Sequence, residues 1–80
     1  MKNTTTGLME ALLQTLDAGQ FIKGVRDFDQ VTQRQCFLKA LRELRKPGVV
    51  GLHGPEFTKS AIQSIRAALA AQAPELAQIP

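Results

Sequence analysis

The segment from Gln30 to Lys46 constrains the fold of this chain more than any other part of the sequence. Its seventeen residues contain no glycine or proline, and Pro47-Gly48 follows directly. Phe37, Leu41 and Leu44 are spaced four and three residues apart, which places them on one face of an α-helix. The pattern therefore predicts a helix over 30–46 with a buried stripe at 37, 41 and 44, closed by Pro47.

Three further helices are predicted from the same periodicity. They cover about 7–18, closed by Gly19, then about 20–27, and then about 55–72, opened by Pro55 and closed by Pro74. Gly24 lies inside the second of these, where it either permits the close approach of another helix or weakens the helix. Either Asp27 or Asp29 is expected to cap the helix over 30–46.

The connections complete an all-α prediction. Residues 47–54 contain three glycines and a proline, so we expect a loop whose Val49, Val50 and Leu52 tuck against the core. Phe57 is expected to flank the inner stripe of the last helix, which contains Ile62, Ile65 and Leu69. This stripe should pack antiparallel to the helix over 30–46.

The predicted domain is a single compact helical bundle over residues 1–80. It has four main helices, a frayed tail over 1–6 and a short fifth turn over 75–79, in which Leu76 and Ile79 close over the core. Eighty residues support one domain at most, and a core of this size contributes only about 3–5 kcal/mol.

The positive charge of the chain is concentrated in one stretch. Residues 34–46 contain five basic residues and one glutamate, a charge of +4, whereas the whole chain carries +3. Side chains spaced three and four residues apart form a row of about 21 Å along the predicted helix. The row consists of Thr32, Gln35, Lys39, Arg42 and Lys46. It is either a solvated outer face or a surface that follows phosphates or an acidic protein.

A second group of polar side chains lies on the last predicted helix. Lys59, Gln63 and Arg66 precede or interleave an apolar stripe, as in helices that read DNA bases. The predicted connector before this helix is about eight residues long. A helix-turn-helix has a turn of three or four, so the similarity is one of composition.

Catalytic and metal sites are not expected. The chain has one cysteine, Cys36, and one histidine, His53, whereas a metal site needs three or four ligands. We expect Cys36 to be a buried apolar residue and His53 to be a loop residue. The 48–54 glycines lack the lysine and hydroxyl residue of a phosphate-binding loop. No enzyme activity, metal or cofactor is therefore predicted.

The first helix carries more apolar residues than one helix face needs. Leu8, Met9, Leu12, Leu13 and Leu16 cover more than one side of it. They are either all buried or form a docking surface, which favours a homodimer. No apolar signal core and no run of about 20 uncharged residues is present, so we expect a cytoplasmic protein without membrane contact.

The function expected from these features is binding. We expect a small non-enzymatic regulatory or adaptor protein that binds a protein partner through an apolar surface and a basic helix face. The alternative is a helix-turn-helix-like DNA-binding regulator; a protein partner is favoured over nucleic acid.

Overall fold

The computed structural model describes the backbone of residues 5–77 and the side chains of residues 5–72. Within this range the chain forms five α-helices and no strand, which confirms the all-α prediction. The helices are α1 (Thr5–Thr15), α2 (Ala18–Val25), α3 (Gln30–Leu44), α4 (Pro47–His53) and α5 (Pro55–Ala77). The predicted tail over 1–6 lies mostly outside the described residues, although Thr5 and Thr6 already belong to α1.

The boundary between α1 and α2 differs from the prediction. Helix α1 ends at Thr15 because Leu16 adopts a left-handed conformation with φ 56°. Asp17 then caps α2, and its side chain accepts a hydrogen bond of 3.1 Å from the backbone N–H of Gln20. The predicted stop at Gly19 is wrong, because the aspartate cap starts the next helix two residues earlier and Gly19 becomes part of it.

Helices α1 and α2 pack closely at Gly24. A Cβ atom placed on Gly24 would lie 2.5 Å from Cδ2 of Leu8, closer than real Cβ atoms approach. Of the two interpretations of this glycine, close approach of another helix is therefore the one that the structure supports.

The predicted loop over 47–54 is a helix. Pro47 occupies the first turn of α4, where its missing N–H costs nothing, and the carbonyl of Lys46 accepts from the N–H groups of Val49 and Val50 at 3.0 Å. Val49 packs against the core as predicted. Leu52 does not, because it lies on the solvent side of α4 and is 74 % exposed.

Helix α5 continues through Pro74, so the predicted stop near Gln72 is also wrong. A proline inside a helix leaves the carbonyl four residues before it without its helical partner. That carbonyl belongs to Ala70, which is exposed and can be hydrated. The side chains of the predicted fifth turn, Leu76 and Ile79, lie outside the described residues.

The core lies between α3 and α5, with α1 and α2 completing it. Phe37, Leu41 and Leu44 are buried as predicted. The predicted inner stripe of α5 is shifted, because Ile65 is buried with Ala61 and Thr58 while Ile62 and Leu69 are half-buried. The side-chain amide of Gln72, late in α5, donates at 2.8 Å to that of Gln33, early in α3, as antiparallel packing requires.

The apolar surplus of α1 is largely absorbed by this core. Met9 and Leu12 are buried, and Leu8, Leu13 and Leu16 are partly buried and pack against it. Helix α1 therefore corresponds largely to the broad buried alternative. Within residues 5–77, every helix is too short or too polar to cross a lipid bilayer.

Candidate binding surface on helix α3

The side of α3 that faces away from the core combines apolar and cationic side chains. We name it the α3 outer face and define it by seven exposed residues. They are Val31, Arg34, Gln35, Leu38, Lys39, Arg42 and Arg45.

Two apolar side chains form the centre of the α3 outer face. Val31 is 64 % exposed and Leu38 is 40 % exposed. Their separation of seven residues is close to two helical turns, so both lie on one line along the helix. A shallow depression of about 370 Å³ extends between them and is also lined by Arg34 and Gln35. Such paired exposed aliphatic residues are available for contact with another molecule.

Cations surround this apolar centre. Arg34 and Arg42 lie four residues before and after Leu38, which places both next to it on the helix surface. Among the described side chains, the single ion pair joins Lys46 to Glu43 at 2.9 Å. The four cations of the α3 outer face therefore have no acidic partner in the described part of the chain.

The predicted polar row is divided by the structure. Gln35, Lys39 and Arg42 lie on the α3 outer face as expected. Thr32 is half-buried and lines, with Gln35 and Lys39, a small cleft that also reaches Met9 of α1. Lys46 does not extend the row, because α3 ends at Leu44 and Lys46 caps α4.

The predicted residues on the last helix form a separate group. Lys59, Gln63 and Arg66 are all exposed on one flank of α5. No described hydrogen bond or ion pair joins them to α3.

Sequence reasoning missed Val31, Leu38, Arg34 and Arg45 as members of a surface. Neither Val31 nor Leu38 belongs to the buried stripe or to the polar row that the spacing predicts. The helical period contains the missing signal, because Leu38 is rotated by about 100° from Phe37 and Val31 lies two turns before it on the same side.

A short turn precedes α3. Only residues 26–29 separate α2 from α3, a connector of the length found in helix-turn-helix units. The side-chain amide of Gln33 donates to the carbonyls of Phe28 at 2.6 Å and Arg26 at 3.2 Å, which fixes the turn. The rings of Phe21 and Phe37 meet edge to face at 6.3 Å and join the two helices. The prediction placed the end of the second helix at residue 27 and so concealed this turn.

The start of α3 is acidic. Asp29 caps the helix and accepts from the backbone N–H of Thr32 at 2.8 Å, and its hydrogen bonds to the Thr32 side chain and backbone lower the pKa of its carboxyl. Asp27 is exposed two residues earlier. The cationic part of the α3 outer face begins only at Arg34, one turn into the helix.

The two reactive side chains have structural roles. Cys36 is buried as predicted, and burial raises the pKa of its thiol. His53 ends α4 instead of lying in a loop, and its Nε2 donates at 2.6 Å to the carbonyl of Leu13. The described residues contain no group of three or more side chains able to hold a metal ion.

Comparison with known proteins returns no matching family model, no matching curated protein and no matching solved structure. The fold and the α3 outer face are therefore the basis for a functional proposal.

Proposed function

We propose that this protein is a non-enzymatic regulatory or adaptor protein that binds a protein partner through the α3 outer face. The observation that carries the proposal is the exposure of Val31 and Leu38 on the same helix face as four cations that have no acidic partner among the described side chains. The apolar contact expected from the first helix is thus replaced by Val31 and Leu38, which lie on the basic face itself.

The two kinds of side chain have different roles in such a complex. Burying the exposed parts of Val31 and Leu38 would contribute about 1 kcal/mol each, at roughly 25 cal/mol per Å² of apolar area. Arginines at the edge of an interface accelerate association with an acidic partner and reject a basic one. The partner that fits is a protein segment with aliphatic side chains flanked by carboxylates. A cytoplasmic location is part of the same proposal, since a reducing compartment suits a single buried thiol.

An affinity-capture comparison tests the proposal. The full chain is immobilised, and proteins retained from extract of its source cells are identified for the wild type, Leu38→Asp and the double variant R34A/R42A. The double variant K59A/R66A is the matched control, because it removes two exposed cations from α5 instead of α3. Circular dichroism confirms that each variant is folded.

The expected result is a partner that the wild type and K59A/R66A retain and that Leu38→Asp and R34A/R42A lose. A retained partner that is lost equally with both double variants would point to net charge alone. Retention unaffected by any change on α3 would contradict the assignment of the surface.

DNA binding is a second candidate function, favoured by the short turn over 26–29 before α3. In a helix-turn-helix the first residues of the second helix approach the bases. Here Asp27 and Asp29 lie in the turn directly before that position and repel phosphates, which is why we rank this function second.

Titration with duplex DNA at two salt concentrations separates the two functions. Phosphate binding predicts an affinity that falls steeply between about 50 and 200 mM salt. Lys39→Ala and Arg42→Ala should weaken such binding alike on all sequences. Absence of binding at about 50 mM salt would exclude this function.

A further inference from the structure

A second exposed apolar surface lies at the junction of α4 and α5. Leu52, near the end of α4, is 74 % exposed, and Phe57, in the first turn of α5, is 71 % exposed. These are the two most exposed large apolar side chains among the described residues. Neither belongs to the α3 outer face.

A groove of about 530 Å³ adjoins both side chains. Leu16 and Ala61 contribute apolar lining, and the hydroxyls of Ser60 and Ser64 contribute polar lining from α5. The hydrogen bond from His53 to the carbonyl of Leu13 holds α4 against the end of α1, so the groove has fixed walls. Its volume is within the range of about 300–1,000 Å³ found for pockets that accept small organic groups, which is sufficient for a phenyl ring.

The charge of this groove indicates what can occupy it. Asp17 is the single carboxylate among the described lining residues, and no lysine or arginine lines the groove. The Asp17 carboxylate already accepts the capping hydrogen bond from Gln20. An uncharged occupant is therefore favoured. Two copies of the α3 outer face would bring four cations against four, whereas two copies of this groove bring together only one carboxylate from each.

We infer that a second copy of this chain occupies the groove. Phe57 of each protomer inserts beside Leu52 of the other around a two-fold axis, since a surface that carries both a projecting ring and a groove is self-complementary. A standard interface covers about 800 Å² on each partner, roughly one seventh of the 5566 Å² surface of this chain. Dimerisation is also a common supplement to the small core of an 80-residue domain.

The two surfaces then have separate roles. The α3 outer face takes no part in the dimer, so each dimer presents it twice. The inference does not depend on the proposed partner.

Light scattering after size-exclusion chromatography tests the dimer. The wild type is measured from about 5 to about 500 µM beside Phe57→Glu and the matched control Val31→Glu, because dimerisation depends on concentration. The control introduces the same charge at a similarly exposed apolar residue on α3. We expect a wild-type mass of twice 8.7 kDa, retained by Val31→Glu. Phe57→Glu should weaken dimerisation by at least about 30-fold, the loss expected of a central interface residue.

An isotope-filtered NOE measurement on an equimolar mixture of labelled and unlabelled wild-type protein provides the direct readout. Contacts between the Phe57 ring of one protomer and the Leu52 methyl groups of its partner support the inference. A wild-type monomer at the highest concentration would overturn it. A dimer that Phe57→Glu leaves intact would do the same. Either result leaves the capture experiment on the α3 outer face unaffected.

Discussion

Replacing Gly24 by alanine should destabilise the protein when Leu8 is present and stabilise it when Leu8 is absent. In the interior of α2, alanine is favoured over glycine by about 1 kcal/mol because the unfolded chain loses less entropy on folding. Against this, the new Cβ would lie 2.5 Å from Cδ2 of Leu8, and the three nearest atoms all belong to that side chain. The clashing atoms belong to the end of the Leu8 side chain, and because this side chain packs against the core, moving it aside is an overpacking that costs about 1–3 kcal/mol.

The balance of these two terms gives the expected magnitudes. Gly24→Ala alone should lower the free energy of unfolding by up to about 2 kcal/mol. In a Leu8→Ala background the clash disappears, and the same change should raise the free energy of unfolding by about 1 kcal/mol. The coupling energy between the two positions is therefore about 1–3 kcal/mol.

Urea denaturation of the wild type, the two single variants and the double variant measures this coupling. Gly19→Ala in both backgrounds is the control. Gly19 lies in the same helix, but a Cβ atom placed on it would be nearest to a side-chain oxygen of Asp17, 3.5 Å away, and would not contact Leu8. Its effect should be equal in the two backgrounds. A coupling energy below about 0.5 kcal/mol between Gly24 and Leu8 would refute the packing argument, since independent sites are additive within that limit.

Three other outcomes are expected. Leu41→Ala should lower the free energy of unfolding by about 2–5 kcal/mol, whereas Lys39→Ala on the α3 outer face should change it by less than about 0.5 kcal/mol. Thermal melts compare the two variants. If Lys39→Ala destabilised the protein more than Leu41→Ala, the assignment of the buried and outer faces of α3 would be wrong. Leu16→Gly should be more stable than Leu16→Ala in urea, against the usual order, because Leu16 has a positive φ that alanine keeps strained and glycine does not. The stability difference between wild type and Asp29→Ala should be largest near neutral pH. Since the pKa of Asp29 is lowered in the folded protein, the stability that its carboxylate contributes is complete above its ordinary pKa and is lost as the pH falls through the folded-state pKa. Melts at several pH values measure the stability difference between the two proteins. A difference that grows in acid would contradict the role of Asp29 as the cap.

The sequence predicted the fold class well because long, uninterrupted periodic segments determine it. The stretch over 30–46 contains the whole of α3, and its buried stripe was correct because Phe37, Leu41 and Leu44 leave no other consistent face. Helix α4 was missed because two glycines within it and a third directly after it have low helix propensity. Pro47 at the first turn and the packing of Val49 outweigh that propensity, and the packing of Val49 is not visible in local composition.

The candidate surface was predicted only in its polar part. Gln35, Lys39 and Arg42 follow from spacing alone, since cations on a helix are expected to face water. The helical period sets Val31 and Leu38 apart from the buried stripe, but it does not show whether a neighbouring helix covers them. Position in the tertiary structure, which a single sequence does not specify, decides which apolar residues remain exposed.

Gln33 connects segments that are far apart in the chain. Its amide group holds the turn after α2 through two carbonyls and accepts a hydrogen bond from Gln72. All its hydrogen-bonding groups are thus engaged, and losing the distant partner leaves a half-buried acceptor unpaired. The turn and this part of α5 should therefore open together as one cooperative unit. In native-state amide exchange, protection at the beginning of α3 would then depend on a side chain thirty-nine residues away.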